Sequence, residues 1–440
     1  MTSQERRPSA EALDGRPGLD VLERAAAVLF VHGQTTERTV QDLKRLAAAL
    51  GVEATIAVSW DGVAFGFGRF VAASPTAVDM GKVAAAVAVI DRVCACGLSA
   101  ADASGELARI EASPPASTLR FSLMAGIGAM ALGVIFGALH LLSLALIGLS
   151  GFLGGQLRRA LGRLSDNTLV QPFAAALLAG AIGAVTVRLE FTTLQRLVAV
   201  CPCMVLVPGP HLLNGAIDLM RARVLLGLAR LTYAGMIVLA ISAGLLIGLA
   251  LGGASLPPAA PSHAAPFLGD VIAAGLAVAA YGAFFSMPWR LLPVPVAVGM
   301  AAHSARWLAI FVAGASPATG ALLACLLVGT ITAPVADRLK LPFAGLAFAS
   351  VVSLIPGVFL FRMAGGLVDL LQPGPPPPPD LVGTVLADAG NAFLIMMAIT
   401  VGVILPKMVH EWLVGSRFGA RQPHRDQSHD GRTQGNRQSR

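Results

Sequence analysis

The chain has 440 residues, of which 55% are hydrophobic and only 13% charged, with a mean hydropathy of +0.72. Soluble domains average roughly 25% charged residues, so most of this chain is excluded from facing water and reads as membrane-embedded. The net charge of +7 sits largely in loops and in the C-terminal tail, where it acts as an orientation signal rather than a nucleic-acid surface, and five cysteines in apolar settings make no disulfide framework.

Residues 1–17 are polar (Met1-Thr-Ser-Gln-Glu-Arg-Arg-Pro8 at the start), which predicts disorder and no cleavable signal peptide. Residues 18–115 read as a small α+β module. Leu22, Ala25, Ala26, Leu29 and Phe30 share one face at helical spacing, and Gly33 stops that helix. Thr35 or Thr36 is a candidate N-cap for a second helix, with Glu37 in its first turn and Gly51 as its stop. Val52 to Trp60 alternates as a strand, Asp61-Gly62 marks a hairpin, and Val63 to Val71 is the returning strand. Two more helices follow, near 76–96 and 99–112, and Ser113-Pro-Pro115 is a linker.

From Leu119 the chain carries about ten apolar segments, near 120–139, 141–156, 173–187, 194–209, 231–252, 267–287, 291–312, 317–335, 342–361 and 389–406. Basic residues follow the even-numbered ones: Arg158, Arg159 and Arg163; Arg221, Arg223 and Arg230; Arg290; Arg338 and Lys340; Lys407, Arg417 and Arg421. The alternate loops hold no Lys or Arg, although Arg188, Arg196 and Arg362 break the pattern. The positive-inside rule then places both termini and the N-terminal module in the cytoplasm of a multi-pass protein in a bacterial-type inner membrane. The tail 414–440 reads as disordered and basic, and Pro373–Pro379 as an extended polyproline loop on the outer side.

Two of these segments are interrupted. Cys201-Pro-Cys-Met-Val-Leu-Val-Pro208-Gly209-Pro210 leads into His211 to Met220, and Ser353-Leu-Ile-Pro356-Gly357 leads into Gly365 to Leu370. A spanning helix tolerates such breaks only where protein or water satisfies the freed carbonyls. The breaks lie in segments four and nine, five spans apart, and an odd offset inverts topology. The expected architecture is therefore an α-helical polytopic membrane protein with a 5+5 inverted repeat, one half over 119–253 and the other over 266–410, behind a small N-terminal α+β cytoplasmic domain. Interrupted segments at matching places point to the binding site of a repeat-built transporter.

The candidate substrate or proton pathway consists of Pro208, Gly209, Asn214, Asp218, His303, Pro356, Gly357, Asp388 and Asn391. Asn214 and Asp218, four apart, share a helix face one turn past the first break and could bind an ammonium or carry a proton; the structural alternative pairs Asp218 with Arg221 or Arg223. His303, Arg306, Arg362 and Asp388 are ionisable groups inside or at the ends of spans, against the simpler roles of helix–helix hydrogen bonding or snorkelling. Cys201-Pro-Cys203 has the softness for Cu(I) or Zn(II) but reads more simply as small apolar residues at a tight crossing. Cys94 and Cys96 point to different sides of a helix, and Gly66-Phe-Gly-Arg69 opens no helix and is no dinucleotide loop. No phosphate-binding loop, His-Glu-x-x-His or Gly-x-Ser-x-Gly occurs. His32 and Asp61 read as structural. The expected site holds no metal and no cofactor.

Three pieces resemble the threonine/serine exporter family: His32-Gly33-Gln-Thr-Thr-Glu37-Arg38-Thr-Val40 with Leu46 to Gly51; Leu206-Val-Pro208-Gly209 with Asn214-Gly215 and Asp218; and Leu354-Ile-Pro356-Gly357. The resemblance covers 18–410, with one extra Thr between Arg38 and Val40 relative to the family pattern. It implies a non-enzymatic secondary transporter that exports small hydroxy amino acids, driven by the proton-motive force. Its partners would be the amino acid, protons and the lipid bilayer, with no nucleic acid and with a homo-oligomer left open. The alternatives are an exporter of dicarboxylates or small peptides, and a membrane sensor or scaffold.

Overall fold

α1 (Pro17–Val31) and α2 (Thr36–Ala49) are joined by a turn in which Gly33 takes φ 92°, a conformation that costs glycine little. Thr35 caps α2: its hydroxyl accepts from the Arg38 backbone N–H. In the computed structural model, which describes residues 17–189, 195–254, 265–339, 343–371 and 379–419, a three-stranded antiparallel meander follows. Its strands are β1 (Ile56–Ser59), β2 (Gly62–Phe65) and β3 (Arg69–Ala72). Ser59 pairs with Gly62, so Trp60-Asp61 is a two-residue loop, one residue earlier than the Asp61-Gly62 signal. The expected single returning strand over 63–71 is instead split in two, because Gly68 at φ 88° turns the chain back on itself. Gly66 to Arg69 is thus mostly a turn, not strand interior. α3 (Met80–Cys94) and α4 (Ala100–Ala112) are capped by Asp79 and Ser99. Leu22, Leu29, Phe30, Leu43, Leu46, Ile90 and Leu107 form a fully buried core for these elements.

The remaining helices are α5 (Thr118–Ile135), α6 (Leu141–Leu161), α7 (Val170–Arg188), α8 (Gln195–Val205), α9 (Gly209–Met220) and α10 (Val224–Leu251), then α11 (Phe267–Phe284), α12 (Pro293–Trp307, continued by a π-turn over Leu308–Val312), α13 (Pro317–Leu339), α14 (Phe343–Val351), α15 (Gly357–Leu371) and α16 (Pro379–Gly419). Eight are long and apolar enough to cross a membrane. The pairs α8/α9 and α14/α15 pass the same test together but are bent by 54° and 53°, which gives up to ten spans. Outward-facing Leu141, Leu225, Leu239 and Leu371 are each more than two-thirds exposed, as suits contact with hydrocarbon.

The helix pairings recur along the chain. α5 packs on α6, α7 on α10 and α9 on α10; later α11 packs on α12, α13 on α16 and α15 on α16. Both long pairs close on glycine. A Cβ on Gly248 of α10 would meet the Leu177 carbonyl of α7, and one on Gly402 of α16 would lie 2.6 Å from the Cβ of Cys325 on α13. Small residues of this kind let backbones approach within a bilayer, where no hydrophobic force drives helices together.

Several boundaries differ from expectation. α10 begins at Val224, not near 231, so Arg230 is a helix-interior residue and not a loop charge; it is 1% exposed. Asp369 lies within α15, and the last helix runs from Pro379 to Gly419 instead of ending near 406. Apolar windows trim helices at their first charge, whereas a charge that finds a partner lets the helix continue. Of the start expected to be disordered (1–17), the polyproline loop (373–379) and the disordered tail (414–440), residues 1–16, 373–378 and 420–440 lie outside the described residues, whereas Pro17, Pro379 and residues 414–419 belong to helices.

Candidate functional site

α8 ends at Val205, and Pro208, at φ −80° and ψ 59°, is not helical. α9 then starts at Gly209 with Pro210 in its first turn, where the missing N–H has no partner to lose. At the second break a 3-10 turn (Val352–Leu354) leads into Ile355, which is extended as a residue before proline prefers, and α15 restarts at Gly357. The two breaks touch. A Cβ on Gly209 would run into the Phe348 ring and lie 2.8 Å from Ile355 Cδ1; one on Gly357 would lie 2.8 Å from Met204 Cγ. Each break glycine is therefore the surface on which the other bent pair sits. Gly209→Val should overpack this crossing and cost about 1–3 kcal/mol. Its melting temperature in detergent should fall well below that of Gly235→Val, whose added Cβ meets open space; equal values would refute the close crossing.

Asn214 and Asp218 face the N-terminal module. The Asn214 side-chain amide donates to the Gly33 carbonyl at 3.1 Å, and the Thr36 hydroxyl donates to Asp218 Oδ2 at 2.9 Å. Asp218, 1% exposed, thus sits at the positive N-terminal end of α2. Arg230 Nε lies 3.4 Å from its Oδ2 and Arg223 Nη1 3.5 Å from its Oδ1. Glu37 accepts from Arg223 at 2.8 Å and pairs with Arg221 at 3.0 Å, and Arg221 reaches Glu411 of α16 at 2.9 Å. Arg230 also stacks over the Phe30 ring at 5.4 Å. One charge network therefore fastens α1 and α2 to α9, α10 and α16.

Burial pushes the Glu37 carboxyl up, but the hydrogen bond from Arg223 and the charges of Arg221 and Arg223 outweigh it, so its pKa falls below the usual 4.5. A depressed carboxylate stabilises the docked state at every pH above its unfolded value and loses that contribution as pH falls through the folded one. Module docking should hold at neutral pH and loosen only below about 4.5. Glu37→Gln should loosen it at pH 7, seen as faster hydrogen exchange in α2; unchanged exchange would count against the network.

Asp388 pairs with Arg362 at 3.1 Å and ties α15 to α16. Asn391 donates to the Ala387 carbonyl of its own helix at 2.9 Å and reaches neither break. His303 is fully buried and bonded on both sides: Nδ1 to Asp270 Oδ2 at 3.0 Å and Nε2 to the Ser353 hydroxyl at 2.8 Å. Asp270 is 3% exposed and Ser353 5%. Three groups able to exchange protons thus run from the first turn of α11, through α12, to the 3-10 turn three residues before Pro356. Sequence reasoning named His303 but missed Asp270, Thr36 and the burial of Arg230. A lone Asp within the apolar run 267–287 was the available signal for Asp270. Cys201 and Cys203 are buried in the core near the first break, and among the described residues no three potential ligands cluster as a metal site.

A family model, ThrE, for threonine/serine exporters matches residues 20–252, and a second, described as "Threonine/Serine exporter, ThrE", matches residues 270–409. No curated protein and no solved structure matches.

Proposed function

Since the chain belongs to the threonine/serine exporter family, we propose that it is a secondary transporter that exports small hydroxy amino acids at the expense of the proton-motive force. Family membership and the eight to ten span-length helices among the described residues support a multi-pass membrane transporter. The observation that carries the finer reading is the meeting of the two bent pairs at their breaks, 54° and 53°, the arrangement in which half-helix ends face a substrate. The recurring helix order and pairings support an inverted repeat of α5–α10 on α11–α16, and the Arg and Lys clusters after alternate spans support cytoplasmic termini.

Proton coupling fits the Asp270–His303–Ser353 chain better than Asp218 or Asp388. Those two carboxylates are each held by arginine, so shedding charge would leave a buried cation unpaired. His303 instead has a partner that can give or take a proton on each ring nitrogen. The test is efflux of labelled threonine, serine and succinate from preloaded cells expressing the chain, with and without an uncoupler. Uncoupler-sensitive threonine or serine efflux is expected. Succinate efflux alone would replace the substrate while keeping the transporter, and no efflux would overturn the reading.

A further inference from the structure

Beside the first break lies a cavity of about 410 Å³, walled by the module on one side and by α6, α7, α10 and the end of α11 on the other. That volume lies in the range of small-molecule sites. Arg158 and Arg159, from the last turn of α6, line it. Arg159 lies over the Phe121 ring at 4.2 Å, and Arg158 lies 5.5 Å from the Phe284 ring. Among the described residues neither forms an ion pair, and the buried Nε of Arg159 has no hydrogen-bond partner. The buried Nδ1 of His32, also on the wall, has none either.

Arginines at a helix C-terminus ordinarily complement the dipole and point to water or headgroups. This pair does otherwise: stacking on aromatic faces holds the guanidiniums at the cavity wall, and a stacked guanidinium keeps its N–H edge free for a planar carboxylate. The opposite requirement is met nearby. Val205, Leu206 and Val207 bring the carbonyl end of α8 to the cavity, and Asp79 lies on its wall. Lys82, also on the wall, turns its ammonium to the Glu111 carbonyl at 2.8 Å.

We propose that this cavity is the substrate vestibule, a zwitterion site in which Arg158 and Arg159 take the carboxylate and the α8 carbonyl end with Asp79 takes the ammonium. The proposal rests on the exporter reading and adds a place and a recognition chemistry to it. Its position, on the module's side of the first break, is where a solute bound for export would enter.

The test is equilibrium binding of labelled threonine to the full-length protein purified in detergent. Wild type should bind threonine saturably, and Arg158→Gln/Arg159→Gln should bind it at least tenfold more weakly. If that double variant does not fold, Thr168→Cys in a Cys96→Ser background decides: position 168 lines the cavity and is exposed, so saturating threonine should slow its labelling by a maleimide. Binding within twofold of wild type in a folded double variant, or no protection at position 168, overturns the site while leaving exporter function to the efflux assay. Succinate bound in place of threonine, or no saturable binding of either, overturns the zwitterion assignment itself.

Discussion

Asp218→Ala unseats the N-terminal module from the membrane helices and costs about 3–5 kcal/mol, the usual penalty for removing one partner of a buried ion pair. Arg230 is the reason. It is 1% exposed, lies 3.4 Å from Asp218 and stacks on Phe30, so without the carboxylate a charge is stranded at the seam between module and membrane helices. Thr36 loses its acceptor at the same time. Asp218→Asn should be milder, because an amide oxygen still accepts from Thr36, although Arg230 keeps only a dipole. Pairing Asp218→Ala with Arg230→Met should recover much of the loss, since the stranded charge is then gone. Thermal denaturation of the three variants, with proteolysis at the 113–117 linker as a readout of docking, checks this. A double variant no more stable than Asp218→Ala alone would show that the pair does not hold the seam.

His303→Gln abolishes uncoupler-sensitive efflux while leaving substrate binding within a few-fold of wild type. Glutamine can keep one hydrogen bond but cannot gain or lose a proton, so the chain between Asp270 and Ser353 is cut without an empty space. Asp270→Asn should do the same from the other end. Arg306 lies on the same helix as His303 and feels the charge of Asp270, so Arg306→Gln should alter the pH at which efflux is half-maximal rather than eliminate it. Reconstituted vesicles with a pH-sensitive dye inside read proton movement directly. Threonine-dependent proton flux that persists in His303→Gln would remove this chain from the coupling step, and Asp388→Asn would then be the next variant to measure.

What could be read from the sequence follows from the range over which each feature acts. Thr35 as a cap and Gly33 as a stop are local, and both hold in the structure. The breaks at Pro208-Gly209 and Pro356-Gly357 were visible because proline removes a donor wherever it stands. Asp218 was visible as an ionisable residue beside a break, but its partner Thr36 lies 182 positions away in sequence, and periodicity carries no information at that distance. Arg230 was misread as a loop charge for the same reason: only the fold reveals the carboxylate that lets it lie inside α10. The strand expected over 63–71 failed on conformation, since Gly68 at φ 88° ends β2's run and starts a second hairpin.

The mutual seating of the two breaks limits how the transporter can move. Gly209 rests on Phe348 and Ile355, and Gly357 rests on Met204. Neither joint has room to bend further by itself, because the obstacle in each case belongs to the other joint. Two hinges meshed in this way behave as one: the machine has a single degree of freedom at its centre. A solute that pushed on one joint would press on the other through the same contact, so the two could move independently only if that contact parted.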